Sequence, residues 1–236
     1  MCTVVVLRRP GFTCLAANRD ERLDRAWETP ARFWPDLPGN ILGGRDRLGG
    51  GTWLALNERG VAAAVLNRPG SLGPEAGKRS RGELPLLALG AGSAEGAAAI
   101  VAGLDAAAWR PFHMVVADRD AAFFLCGMGE GRASAEALPP GVSMVTAHPP
   151  NDLSSPRTAR HLPRFRAAAD PAPPDWGDWP RLVADGAGSA AEALCVPPIG
   201  GFGTVCSSLI HLSEGPEWLF SPGPPDRVGH APLALA

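Results

Sequence analysis

Tyrosine is absent from the 236 residues, and aromatic residues together make up only 6% of the chain. Long apolar runs are missing too: no stretch approaches the roughly 18–20 apolar residues that a membrane-spanning helix needs, so we expect no transmembrane segment. The first residues lack both a basic region and a small-residue cleavage site, which argues against a signal peptide. With 45% hydrophobic and 19% charged residues, the composition indicates an ordinary globular protein.

Strong charge and paired cysteines are also lacking. The formal net charge is −2, and no block of five or six basic residues occurs, so we expect no nucleic-acid partner. The five cysteines are odd in number, scattered and without a Cys-x-x-Cys pair, which excludes a disulfide framework or a structural zinc site. The five histidines show no metal-ligand spacing. We therefore expect no metal and a reducing, cytoplasmic location.

Short strands and a few helices dominate the pattern. Apolar and β-branched runs separated by turn residues predict four hairpins: Thr3–Leu7 with Phe12–Ala17, Thr52–Leu56 with Val61–Leu66, Phe112–Ala117 with Ala122–Leu125, and Val205–Leu212 with Trp218–Ser221. A further strand is predicted at Ser143–Thr146. Helices are predicted at Leu84–Leu89, Ala94–Leu104, Arg157–Ala169, Trp179–Gly186 and Ala190–Leu194, with Pro163 kinking or ending the third. Because no linker or repeat interrupts this order, we expect one α+β domain over residues 1–236.

Cys2 is the first residue of interest. Cysteine is small enough for the initiator Met1 to be removed, which leaves a thiol beside a free α-amine. An α-amine has an unperturbed pKa of about 7.7–8.0, so the thiol and its base would belong to one residue, as in N-terminal nucleophiles. Alternatively, Cys2 is an incidental small apolar residue at the chain end.

The polar segment Asn18-Arg19-Asp20-Glu21 follows the strand that pairs with the one starting at Cys2. Arg19 is suited to stabilising a thiolate and lowering the thiol pKa below the free value of about 8.5, and Asp20 to holding a protonated α-amine. The simpler interpretation is a solvated turn with a surface ion pair.

In order and spacing, several motifs resemble the NRDE family, also called the transport-and-Golgi-organisation protein 2 family. They are Met1-Cys2, Leu15 to Glu21, Gly50-Gly51-Thr52-Trp53-Leu54, Asn57-Glu58-Arg59-Gly60, Asn67, Ser80-Arg81-Gly82-Glu83 and Gly203-Thr204. The resemblance covers nearly the whole chain. It implies the αββα four-layer sandwich of N-terminal-nucleophile hydrolases, with mainly antiparallel sheets. More distantly, the chain is similar to cysteine acylases that cleave bile salts and penicillin V.

That resemblance implies Cys2 as nucleophile with Arg19 and Asp20 as its electrostatic partners. Asn67 is then an oxyanion donor, although before Arg68-Pro69-Gly70 it is also a natural turn residue. We assign Asn18, Trp53 and His148 to substrate binding; Trp53 beside a Gly-rich loop either lines an apolar pocket or packs.

Two positions depart from the acylase and family patterns. Thr146-Ala147-His148-Pro149 lacks an expected Asn, for which His148 or Asn151 is a substitute. At Val205 an expected Arg near the nucleophile is lost, and no replacement is evident in the sequence. Arg157, Arg160 and Arg164 lie at helical spacing and are suited to binding carboxylates or phosphates, but a solvated helix face is the simpler interpretation.

Three functions compete. The first is a cysteine amidohydrolase that acts on a small acyl amide and requires no cofactor. The second, suggested by the family's association with haem and lipid handling, is a cytoplasmic carrier or chaperone of haem or acyl lipid that uses the same cleft. A Cys or a His is a suitable haem ligand, and Arg residues pair with propionates. The third is a non-catalytic interaction protein.

Overall fold

A computed structural model describes residues 2–235. The strands, in chain order, are β1 (Thr3–Arg9), β2 (Phe12–Arg22), β3 (Trp27–Ala31), β4 (Leu42–Asp46), β5 (Leu54–Leu56), β6 (Ala62–Asn67), β7 (Phe112–Ala117), β8 (Ala122–Gly127), β9 (Ser134–Ala137), β10 (Gly141–Val145), β11 (Phe202–Leu212), β12 (Glu217–Ser221) and β13 (Ala231–Pro232). The α-helices are α1 (Glu83–Ala88), α2 (Ala94–Ala102), α3 (Pro156–Ala167) and α4 (Trp179–Val183). Backbone contacts divide the chain into two compact units, Met1–Arg25 with Pro139–Ala236, and Ala26–Leu138. The assignment of one domain to residues 1–236 stays a prediction.

The first unit is built on a sheet in the order β10-β1-β2-β11-β12-β13, here called sheet A. Strands β1 and β2 pair antiparallel, with Val4 opposite Ala17, so the predicted first hairpin is confirmed. Its turn contains Gly11 at φ 84°, a left-handed conformation that glycine adopts without steric cost. Strand β2 then continues to Arg22, farther than predicted, because β11 pairs along its whole length.

One face of sheet A packs against α3 and α4. Because side chains alternate along a strand, every second residue of β1 and β2 points to these helices, including Val5 and Ala16. From the helices, Phe165 and Trp179 meet edge to face with ring centroids 5.1 Å apart. This apolar layer fixes α3 over β1, β2 and β10.

The second unit contains sheet B, whose seven strands β3 to β9 pair in chain order. All of its strand pairs are antiparallel, which confirms the predicted hairpins β5–β6 and β7–β8. Helices α1 and α2 pack on this sheet through Leu84 and Val101, against Met114 and Leu125. The predicted helices in this region are confirmed to within two residues at each end.

Some predicted elements differ in the structure. The predicted helix Ala190–Leu194 is a turn instead, closed by the amides of Leu194 and Cys195, which both donate to Asp185 O at 2.9 and 3.0 Å. Helix α3 runs through Pro163, which lies on the exposed face, and ends at Ala167. Strands β3 and β4 form within the Gly- and Pro-rich stretch between the first two predicted hairpins, where no element is predicted. Within residues 2–235, no helix combines the length and apolar character required to cross a bilayer.

Candidate functional site

The β1–β2 hairpin places Cys2 beside the polar end of β2. The first paired residues are Thr3 and Asn18, so Cys2, one residue earlier, lies level with Arg19. The Cys2 Sγ is 3.7 Å from the backbone carbonyl oxygen of Asp20 and is its hydrogen-bond donor. Cys2 itself is partly buried. The predicted proximity of Cys2 to the Asn18–Glu21 segment is therefore present, with a backbone oxygen as the contact atom.

Arg19 lies on the same face of sheet A as Cys2. On the other side of β2, Cys206 of β11 is directly opposite Arg19, and opposite residues in an antiparallel pair point to the same face. Arg19 is only 4% exposed, and its Nη2 lies 3.6 Å from Glu21 Oε2. The row Cys2, Arg19 and Cys206, which we call the thiol face, thus brings two thiols and one buried guanidinium together.

The electrostatics of Cys2 differ from the sequence-based expectation. Burial raises the pKa of the Cys2 thiol, and the nearby Asp20 carboxylate raises it further. The hydrogen bond to the Asp20 carbonyl and the Arg19 charge act in the opposite direction but are outweighed. The prediction that Arg19 holds the thiol pKa below its free value is therefore wrong, because desolvation of the thiolate is the larger effect.

Asp20 is buried on the opposite face of sheet A. Its Oδ1 accepts a hydrogen bond from Thr204 Oγ1 at 2.6 Å, and its Oδ2 accepts one from Arg157 Nη1 at 2.9 Å. Asp20 is 2% exposed and Arg157 is 5% exposed. Both carboxylate oxygens thus have buried donors, and the expectation of a solvated surface ion pair does not hold for Asp20.

Arg157 is suited by its spacing to binding a carboxylate, but the sequence does not assign it to this site. Its place in a row of helical arginines indicated a solvated face, but α3 turns it inward onto sheet A. The same Nη1 donates to Thr3 Oγ1 at 3.0 Å, and Nη2 donates to the Ala190 carbonyl at 3.2 Å. Helical spacing alone does not say which face of α3 is buried, so the sequence carried no signal that separates Arg157 from Arg160 and Arg164.

Asn18 shares the face of Asp20 and Thr3. Its Nδ2 donates to the carbonyl oxygens of Val183 and Leu194, at 2.8 and 3.0 Å. Both amide protons thereby hold the segment after α4 against the sheet. These contacts are structural and give no support to the prediction that Asn18 binds substrate.

His148 follows β10, the neighbour of β1. Its Nδ1 lies 3.2 Å from Asp152 Oδ2, and its side chain is 34% exposed. Nearby, Asn151 adopts a positive φ of 60°, and its Oδ1 accepts a hydrogen bond from Met144 N at 2.9 Å. Of the two residues considered as substitutes for the missing Asn, Asn151 thus binds the backbone of β10, whereas the side chain of His148 is partly exposed.

The remaining predicted site residues lie in the second unit. Asn67 is the last residue of β6, opposite Phe112. Trp53 packs edge to face on Trp27, with ring centroids 5.6 Å apart, and its carbonyl accepts a hydrogen bond from Val65 N. The roles of Asn67 as oxyanion donor and of Trp53 in substrate binding stay predictions.

The other thiols of the first unit are almost fully buried, whereas Cys126 of sheet B is partly exposed and accepts a hydrogen bond from Arg68 Nη1 at 2.9 Å. Burial raises the pKa of Cys14, Cys195 and Cys206 to about 12 each. Among residues 2–235, no group of three or more His, Cys, Asp or Glu side chains is arranged to hold a metal ion. Cys2 is therefore the only thiol in the described part of sheet A that is both partly accessible and next to an arginine.

The chain is similar to a known family in sequence and to known structures in fold. Residues 1–172 match the family described as Transport and Golgi organisation 2. Among solved structures, the Caenorhabditis elegans orthologue of N-acylethanolamine-hydrolyzing acid amidase is similar with a TM-score of 0.62 and 12% identity, over 89% of this chain and 92% of that one. A variant of conjugated bile acid hydrolase from Clostridium perfringens gives 0.58 and 13%, over 98% and 92%. Penicillin V acylase from Agrobacterium tumefaciens gives 0.53 and 13%, over 94% and 83%.

No curated protein matches the sequence. At such low identity the structural matches show the fold alone. They confirm an α+β protein of the N-terminal-nucleophile hydrolase type, with mainly antiparallel sheets, as the sequence analysis predicts.

Proposed function

Because the chain belongs to the Transport and Golgi organisation 2 family and has the fold of N-terminal-nucleophile hydrolases, we propose that it is a cysteine amidohydrolase. Its substrate is a small acyl amide, and its nucleophile is Cys2 after removal of Met1. The three similar structures are described as an amidase, a bile acid hydrolase and an acylase. Their shared fold supports amide hydrolysis as the reaction class.

The observation that carries this proposal is the position of the Cys2 thiol. It lies at the start of β1, 3.7 Å from the Asp20 carbonyl and level with the buried Arg19. Removal of Met1 places an α-amine on the same residue, so a base becomes available without any other side chain.

In the proposed reaction, the α-amine of Cys2 accepts the thiol proton while Sγ attacks the carbonyl carbon of the amide. The resulting tetrahedral oxyanion requires a hydrogen-bond donor, the role that the family resemblance gives to Asn67. Collapse of this intermediate breaks the C–N bond, and the leaving amine takes the proton from the α-ammonium. Water then attacks the thioester, transfers a proton back through the α-amine, and releases the carboxylic acid and free Cys2.

The α-amine of Cys2, as the base, sets the pH dependence of this reaction. Because burial disfavours a free thiolate, the proton has to move to the α-amine as Sγ attacks, rather than beforehand. The α-amine acts as a base only when it is unprotonated. We therefore expect the rate of acyl transfer to rise with pH through the neutral range and to be highest on the alkaline side.

Two measurements test the proposal. Intact-mass analysis should show a chain that lacks Met1, and a series of N-acyl amides of increasing acyl length should be hydrolysed by the wild type. Cys2→Ala and Cys2→Ser should abolish hydrolysis, whereas Cys126→Ser, which changes a partly exposed thiol of the second unit, should retain it. Retained Met1, or equal turnover by Cys2→Ala, would refute the mechanism.

A cytoplasmic carrier or chaperone of haem or acyl lipid is the second candidate. It is favoured by the raised thiol pKa of Cys2 and by the departures from the acylase pattern at Ala147 and Val205. Such a carrier binds hemin or a fatty-acyl chain without turnover. Titration of the purified protein with hemin, followed by its Soret band in wild type and in the Cys2→Ala and His148→Gln variants, separates the two: ligand binding without amide hydrolysis supports the carrier.

A further inference from the structure

One guanidinium nitrogen of Arg157 contacts two residues next to Cys2: Thr3, which follows it in the chain, and Asp20, whose carbonyl accepts its hydrogen bond. Arg157 Nη1 lies 3.0 Å from Oγ1 of Thr3, the residue after Cys2 in the chain. It also lies 2.9 Å from Oδ2 of Asp20, whose carbonyl oxygen contacts the Cys2 thiol. Through a single atom, α3 is thus connected to both residues adjacent to Cys2.

From this geometry we propose that Arg157 is a positioning residue that fixes the amino-terminal end of β1, and with it Cys2, against β2. The proposal deepens the proposed function, since it concerns the same nucleophile. It does not require that the nucleophile turns over a substrate.

The physical need for such a residue follows from the position of Cys2. Chain ends fray unless they are tied down, and Cys2 precedes Thr3, the first residue of the β1–β2 ladder. A reacting group, however, has to be held within about 0.5 Å of its productive geometry. At Thr3 the ladder pairs only with Asn18 of β2, because the pairing of β1 with β10 begins at Val4, opposite Val145. A side chain from another element therefore supplies a second constraint at this end.

Arg157 is itself held firmly. Ser155 caps α3, and its Oγ accepts a hydrogen bond from Thr158 N at 3.3 Å. The second guanidinium nitrogen bonds the Ala190 carbonyl. Because the planar guanidinium presents several donors in a fixed fork, a lysine at this position could not make the same set of contacts.

The charged groups around Cys2 come from each packed element. Strand β2 contributes Arg19 on the thiol face and Asp20 on the opposite one, β11 contributes the buried thiol of Cys206 beside Arg19, and α3 contributes Arg157. Arg157 acts on Cys2 through Asp20 and Thr3. Loss of the contacts of Arg157 with Asp20 and Thr3 should expose Cys2. The thiol pKa of Cys2 should then fall, because burial is the largest cause of its rise.

The test uses the full-length chain and a double variant, Arg157→Met with Asp20→Asn, that removes both buried charges together, so that neither is left without a partner. Hydrogen exchange of the peptide that covers β1, and iodoacetamide labelling of Cys2, are measured against pH. We expect exchange at Thr3 and Val4 to become about tenfold faster or more, labelling of Cys2 to accelerate at neutral pH, and exchange in β7 to stay unchanged.

Two further variants keep the test decisive if the double variant fails to fold. Thr3→Val removes one acceptor of Arg157 but leaves its bond to Asp20, and should give a smaller effect in the same direction. Arg164→Lys changes an α3 arginine that pairs with Asp185 instead, and should leave β1 exchange and Cys2 labelling as in the wild type.

Unchanged exchange and labelling in Thr3→Val, or in a folded double variant, would overturn the positioning role. Acyl-amide turnover gives a separate result. If the wild type hydrolyses no amide but the exchange and labelling changes occur, the proposed function fails while the positioning role stands. If the wild type turns over substrate and the double variant does so at the same rate, the positioning role fails.

Discussion

The two faces of sheet A at the polar end of β2 differ in what their side chains do. The thiol face holds Cys2, Arg19 and Cys206. On the other face, which we call the anchor face, Asn18 and Asp20 bind backbone and side-chain groups of α3, β11 and the segment after α4. Because side chains alternate along a strand, the four residues Asn18 to Glu21 fall into two pairs on opposite faces. Asn18 and Asp20 of the motif thus lie on one side of β2, and Arg19 and Glu21 lie on the other.

This comparison explains why the motif is polar although it is buried. On the anchor face, the Asp20 carboxylate is hydrogen-bonded to Arg157 and Thr204, and the Asn18 amide nitrogen donates to two carbonyl oxygens. A buried charge with such partners is tolerated, but either partner alone is costly. On the thiol face, Arg19 has Glu21 nearby, which in turn lies 3.7 Å from Arg25.

The largest expected effect comes from breaking the anchor face at Asp20. Asp20→Ala leaves the Arg157 guanidinium buried without its carboxylate, and we expect the free energy of unfolding to fall by about 3–5 kcal/mol. Urea denaturation followed by tryptophan fluorescence measures this change. The double variant Asp20→Asn with Arg157→Met should recover much of the loss; a double variant as unstable as Asp20→Ala would show that the ion pair is not the cause.

A smaller effect is expected from acidification, through His161 on α3. Burial lowers the pKa of His161 to about 4, and the imidazole lies between the Glu192 carbonyl, 2.9 Å from Nε2, and Arg164, 3.2 Å from Nδ1. The unfolded chain binds a proton near pH 6.5, whereas the folded protein does so only near pH 4. Stability from the neutral imidazole is therefore complete above about pH 6.5 and is lost as the pH falls towards 4, by on the order of 2 kcal/mol.

Denaturation midpoints measured between pH 7 and pH 4.5 check this dependence. His161→Gln removes the titrating group and should flatten the slope in this range, although His230, whose pKa burial also lowers to about 4, keeps part of it. A variant with the slope of the wild type would show that another group controls acid sensitivity.

The smallest expected effect is on the thiol face, where the charge of Arg19 acts on the Cys2 thiol pKa in the direction opposite to burial. Arg19→Gln removes the positive charge that lowers the Cys2 thiol pKa, so the thiolate becomes scarcer and iodoacetamide labelling at pH 8 should slow severalfold. Peptide-resolved mass spectrometry measures the rate, with Cys126 as an internal reference. Equal labelling ratios in wild type and Arg19→Gln would mean that Arg19 does not act on the thiol.

Local pattern was enough to predict most elements of both units. The β1–β2 and β7–β8 hairpins followed from β-branched runs between turn residues, because their pairing is local. Strands β3 and β4 could not be found in this way, since they lie in a Gly- and Pro-rich stretch, where β4 forms by pairing with β5 and β3 by pairing with β4. The turn at residues 190–194 has helical composition, but its backbone bonds instead to Asp185 and, through Asn18, to the sheet.

The sequence by itself determined the thiol at the chain start, the polar segment at the end of its partner strand, and the family to which the chain belongs. These follow from residue type and spacing along one hairpin. Only the tertiary structure decided that burial raises the Cys2 thiol pKa despite the charge of Arg19. It also decided that the buried partner of Asp20 is Arg157, which lies 137 residues away in the chain. Desolvation and long-range ion pairing depend on which elements pack together, and no local spacing encodes that packing.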